Sequence, residues 1–246
     1  MLSLFTMRIH NKTINAVIER LINMFYIITK MVTTQNKTSR KIIDKLRLKN
    51  EKMLSKEEII KTIGDYQKIY KRKVNLISLW TYLRKNNYIK RILKDYYYIY
   101  SLEERHDRYC KFSEEELIFL VLEKLKAKWY LGLENALKEN KISWQALNIT
   151  IIINNKFSGI KKLGNSKFKF IKTKPSLFFG LIKKKTNNKV AYYYSDLEKT
   201  YLDFLHFYSY KGKEVEIIKK DLDFEIEKYK LIGYARKYSK KIREAI

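Results

Sequence analysis

Apolar residues recur at helical spacing early in the chain, where Ile14, Val17, Ile18, Leu21, Ile22, Phe25 and Ile28 predict an amphipathic helix. Asn15, Glu19, Arg20 and Asn23 interrupt it, so it is no membrane span, and a secretory cleavage site is missing. Met7, Met24 and Met31 are alternative starts, and Val32 to Ser39 reads as a linker. Residues 1–38 are therefore expected to be a helical extension or an over-called start.

Between residues 39 and 102 the pattern changes. Ile42, Ile43 and Leu46 give a short helix. Ser55-Lys56-Glu57-Glu58 is a capping box that opens a second helix, carried by Ile59, Ile60 and Ile63 and stopped at Gly64. A basic turn, Lys71-Arg72-Lys73, leads to a third helix with Leu76, Trp80 and Leu83 inward, ended by Asn86-Asn87. Ile89 to Ile92 and Tyr96 to Tyr100, separated by Lys94-Asp95, then form a hairpin. Three helices and a hairpin in this order predict a winged helix-turn-helix.

From residue 113 to 246 the pattern predicts an α+β domain with a small β-sheet and a helical C-terminal tail. Ser113-Glu114-Glu115-Glu116 caps a helix, Trp129 to Leu137 reads as another, and Ile149 to Ile153 as a buried strand. Lys167 to Ile171 and Val190 to Tyr194 read as further strands, and Ser195-Asp196-Leu197-Glu198 as a third capping box. The expected class of the whole chain is α+β.

Charge sharpens this picture. The 246 residues include 53 Lys and Arg against 26 Asp and Glu, a net charge of +27. Such a surface attracts polyanions. Heavy use of Lys, Ile, Asn and Tyr also suits an AT-rich genome, so the placement of the charges matters more than their sum. In the third helix and its flanks, Lys71, Arg72, Lys73, Lys85, Lys90, Arg91 and Lys94 can hold phosphates. Asn75, Ser78, Thr81, Tyr82 and Arg84 can face base edges. These twelve are the expected DNA-binding residues, with double-stranded DNA as partner.

The chemistry-bearing residues are sparse. A single cysteine, Cys110, excludes a disulfide framework and a cysteine zinc site, and His10, His106 and His206 are scattered. Asp221-Leu222-Asp223 lacks the Gly-Ser that nucleotidyltransferase chemistry requires upstream, and reads as a solvated helix start. No phosphate-cradling glycine motif occurs. No catalytic residue, metal or cofactor is expected, and the chain does not read as an enzyme. Lys199 reads as a surface charge and Glu198 as the capping partner of Ser195.

Three segments resemble the AbiEi family of antitoxins from type IV toxin–antitoxin (abortive-infection) systems. They are Asn87 to Arg91 with Tyr96 to Ile99, Tyr130 to Leu137, and Ser195 to Asp203. Leu197 stands where that family usually has proline, and Asn87 where it has glycine. The resemblance implies a winged-helix transcriptional repressor of its own promoter. It also implies an antitoxin that counteracts a nucleotidyltransferase-like toxin, and the composition, with its single cysteine, favours a cytoplasmic protein. Two other readings of the residues stay open: a nuclease delivered by its winged helix, and a nonspecific basic nucleic-acid binder.

Overall fold

The computed structural model describes residues 37–49, 51–71, 73–143, 147–222 and 224–246, together with Met24. The helix expected over Ile14 to Ile28 and the linker from Val32 lie outside the described residues, apart from that methionine and residues 37–39. No described helix is long and apolar enough to cross a membrane. The fold is mixed α and β, in two compact units: one runs up to Lys90 and includes Ile99–Asp107, the other comprises Arg91–Tyr98 and Arg108–Ile246.

Over residues 37–106, which include the Arg91–Tyr98 part of the second unit, α1 (37–47) buries Ile42, Ile43 and Leu46. Strand β1 (Met53–Ser55) follows and was not anticipated, because three residues carry no readable alternation. Ser55 caps α2 (Lys56–Tyr70) through the expected box: its hydroxyl accepts from the Glu58 amide, and Glu58 accepts from the Ser55 amide. Gly64 does not stop this helix. The chain continues to Tyr70 and ends on Lys71 in a left-handed conformation, since the buried Tyr66 anchors a further turn. Helix α3 (Leu76–Lys85) ends as expected: Asn87 takes φ 51° and the Tyr88 amide reaches back to the Leu83 carbonyl at 2.9 Å. Strands β2 (Ile89–Leu93) and β3 (Tyr96–Ile99) form the hairpin, and the sheet order is β1-β3-β2. Helix α4 (Leu102–His106) carries a capping box of its own, Ser101 with Glu104.

The second unit is built on six strands rather than a small sheet. After α5 (Glu114–Lys124), residues Trp129–Leu131 form β4, where a helix was expected. The reason is tertiary. Between β5 and β9 this triplet gains ladder bonds on both sides. Beyond it, Gly132 fits where a Cβ would meet Ile153, and Leu133 at φ 55° turns the chain into α6 (Glu134–Glu139). Strands β5 (Thr150–Asn154), β6 (Gly159–Leu163), β7 (Ser166–Lys172), β8 (Leu181–Lys185) and β9 (Ala191–Ser195) complete a mixed sheet of order β6-β7-β5-β4-β9-β8. Strands β6 and β8 were missed because they are lysine-rich edges with almost no buried face.

The registers separate the two faces of the sheet. Leu131, Ile152, Phe168 and Phe170 share one face. There α5 packs, with Phe119 stacked on Trp129 and Tyr192. Tyr130, Ile151 and Ile171 share the other. It is covered by α7 (Leu197–Ser209), α8 (Val215–Lys220), α9 (Lys228–Ala235) and α10 (Lys240–Arg243), whose Leu202, Leu205, Ile218, Leu231 and Ile242 are buried in one core.

Candidate nucleic-acid interface

Helix α3 turns a different face inward from the one its spacing suggested. Leu79 and Leu83 are buried, while Leu76 is exposed and Trp80 half-buried. The inward stripe is therefore i, i+4 from Leu79, and Ser78, Thr81, Arg84 and Lys85 lie exposed. The helix contains no acidic residue. Its outer surface is a row of hydroxyls and cations with two large apolar residues at its start, Leu76 and Ile77.

The other expected contacts divide. Lys71 and Lys73 are exposed before the helix, and Arg72 lies outside the described residues. Lys90 is half-buried on β2, Arg91 is exposed on the same strand, and Lys94 is exposed in the hairpin turn. Among the described residues no carboxylate pairs with Lys71, Lys73, Arg84, Lys85, Lys90, Arg91 or Lys94, so these cations are open to phosphate. Asn75 is engaged otherwise: its side-chain oxygen accepts from the Ser78 amide at 3.1 Å and caps α3. Tyr82 is half-buried and stacked on Tyr88 at 5.8 Å. Burial raises its pKa first, then its hydrogen bond to Tyr88, against a bond from Arg40.

Arg40, Arg47 and Arg105 were not among the expected residues. Arg105 lies over the Tyr88 ring at 3.6 Å and donates to the Asn86 carbonyl at 3.2 Å. Arg47 donates to the Tyr100 carbonyl at 3.1 Å, and one of its terminal nitrogens is buried with no hydrogen-bond partner among the described residues. Burial, then the neighbouring Arg105, lowers its pKa. The only sequence signal for this cluster was basic charge, which is everywhere in the chain.

The second unit holds a different charged site. Lys199 is not a surface charge but fully buried, at 0% exposure. Its ammonium meets Asp203 at 2.5 Å, the Tyr238 hydroxyl at 2.8 Å and the Tyr130 hydroxyl at 2.9 Å. Asp203 in turn accepts from Tyr130 and Tyr238. Burial pushes Lys199 below its ordinary pKa, against the pull of Asp203. Burial, then Asp203, pushes both phenols well above theirs. A group so enclosed meets no dissolved substrate. It pins α7 to β4 and to the segment after α9.

The capping box expected at Ser195 is displaced by one residue. Asp196 is the N-cap and accepts from the Lys199 amide at 2.9 Å. Ser195 belongs to β9, and its hydroxyl bonds Thr200 at 2.7 Å. Glu198 pairs with Lys230 at 2.7 Å and accepts from the Glu227 amide. Asp221 ends α8 instead of starting a helix, and pairs with Lys213 at 3.0 Å; Asp223 lies outside the described residues. Cys110 is partly buried, and His206 packs against Phe207, Tyr210 and Tyr238. Among the described residues no group of three or more His, Cys, Asp or Glu is placed to hold a metal. Neither a protein-family model nor a curated protein matches this chain.

Proposed function

We propose that the chain is a sequence-specific DNA-binding repressor whose residues 39–102 form a winged helix-turn-helix. The observation that carries this is α3: capped by Asn75, free of acids, and presenting Ser78, Thr81, Arg84 and Lys85 to solvent. Helix order α1-β1-α2-α3-β2-β3, with β1 beside β3, is the order such a domain requires. In this reading α3 enters the major groove, where Arg84, Ser78 and Thr81 meet base edges. Lys71, Lys73, Lys90, Arg91 and Lys94 hold phosphates and set the register.

The resemblance to AbiEi antitoxins extends the proposal. The protein then represses its own promoter in the cytoplasm and counteracts a nucleotidyltransferase-like toxin through its second unit, without catalysis. The lysines spread over β6 and β8 favour a second reading, a basic binder without sequence preference.

Binding of the purified protein to its own upstream DNA, against a scrambled duplex at physiological salt, separates the two. A preference of about a hundredfold or more is expected, with both duplexes left uncut in magnesium. Equal affinity that falls equally with salt sinks the repressor reading. Cleavage of either duplex makes the protein a nuclease instead.

A further inference from the structure

Lysine on an edge strand hinders pairing with another sheet, which accounts for the lysines of β8. It does not account for β7, which lies inside the sheet between β6 and β5. In register, Lys162 stands opposite Lys167, and Ile160 opposite Lys169. The alternation of side chains puts these four on one face of the hairpin. Like charges placed directly opposite weaken a strand pair.

The same face receives a further cation from the loop after α7. Lys169 is in register with Ile151, on the face that α7 covers. Lys211 follows α7 and lies close enough to Lys169 to be affected by it. Burial, then the Lys169 ammonium, lowers the Lys211 pKa, against a pull from Glu134. Among the described residues no carboxylate forms an ion pair with Lys162, Lys167, Lys169 or Lys211. Two large apolar side chains nearby in sequence or register stay exposed: Ile160, opposite Lys169, at 58%, and Tyr210, the residue before Lys211, at 75%.

We propose that this face of the β6–β7 hairpin binds a single strand of nucleic acid, with phosphates on Lys162, Lys167, Lys169 and Lys211 and an unpaired base on Tyr210. A polyanion relieves the repulsion among the four ammonium groups. The Tyr210 ring, which precedes Lys211 in the chain, meets His206 edge-on yet stays largely exposed, so it offers a base face something to stack on, and a duplex keeps its base faces hidden. The site is independent of α3.

The test uses the full chain and fluorescence anisotropy with labelled twelve-nucleotide oligo-U and oligo-dT, and a duplex of the upstream DNA. Lys167→Gln/Lys169→Gln should weaken single-strand binding about tenfold and reduce the salt slope by about 1.4, as two lost phosphate contacts require. Tyr210→Ala should weaken it about fivefold or more with the salt slope unchanged. Lys183→Gln/Lys185→Gln removes the same charge from the opposite edge of the sheet and should change it less than about twofold. Unchanged thermal melts check that the variants fold, and the tighter of the two oligonucleotides tells RNA from DNA. Equal losses in both lysine pairs overturn the proposal, as does an equal loss of duplex binding in Lys167→Gln/Lys169→Gln, because charge alone then explains the affinity.

Discussion

Helix α3 and helix α7 use lysine in opposite ways. On α3 and its flanks the cations sit in water, and among the described residues none is held by a carboxylate. Each is cheap to keep there and available to a phosphate. On α7 one cation, Lys199, is taken wholly out of water and held by Asp203, Tyr130 and Tyr238. Taking an ion out of water costs several kcal/mol, so this arrangement persists only while every partner is present. The contrast teaches that net charge says little about what a particular lysine does. One set is left open to solvent, and the other joins a strand, a helix and the C-terminal segment.

The largest expected effect tests the buried side of that contrast. Lys199→Ala leaves Asp203 buried and unpaired, and should lower unfolding stability by about 3–5 kcal/mol in a urea titration. Replacing both ions, Lys199→Met with Asp203→Leu, should recover most of that loss. If Lys199→Ala melts like the wild type, the ammonium is not enclosed as described.

The exposed side is tested by binding. Arg84→Ala should weaken binding to the operator by about 1–3 kcal/mol while leaving scrambled DNA nearly unaffected, whereas Lys94→Ala should weaken both alike and lower the salt slope by about 1. The reverse pattern would take α3 out of the groove. Asn75→Ala is smaller. Because the side chain caps α3, it should cost about 1 kcal/mol of stability. Any loss of DNA binding should then be shared by all sequences, as seen by pairing a thermal melt with the same binding assay.

The smallest effect is a slope. Burial opposes the charged form of Glu198, but the Lys230 hydrogen bond and backbone donors outweigh it and hold its pKa below the ordinary 4.5. A carboxylate lowered in the folded state contributes stability above its unfolded pKa and loses it as pH falls through the folded one. Stability should therefore decline as pH drops below 4.5, and Glu198→Gln should flatten that decline in denaturant titrations at stepped pH. An identical acid limb in the variant would remove Glu198 from the account.

Capping patterns show what was legible and why. Ser55 with Glu58 and Ser113 with Glu116 behave as their spacing dictates, because both bonds of a capping box close within four residues. The same pattern at Ser195 misleads. There Ser195 is claimed by β9, Glu198 is drawn to Lys230, and Asp196 takes over the cap. Trp129–Leu131 fails for a similar reason: as a local segment it continues a helix, but neighbours on both sides turn it into a strand. Most of the expected cations do lie exposed, because a lysine or arginine in a polar stretch needs no partner to stay at the surface. Arg47 and Arg105 could not, since only the fold brings them to Tyr88.

The sequence by itself determined the helices whose caps and apolar stripes are local, the hairpin around Lys94-Asp95, and the excess of positive charge. Those features depend on residues a few positions apart, and their physics is complete within a turn or two. Tertiary structure alone decided that Lys199 is buried, that β6 and β8 edge a six-stranded sheet, and that Lys162, Lys167 and Lys169 share a face. Each of these depends on which distant strand or helix lies alongside, and a lysine's spacing in the chain carries no record of that neighbour.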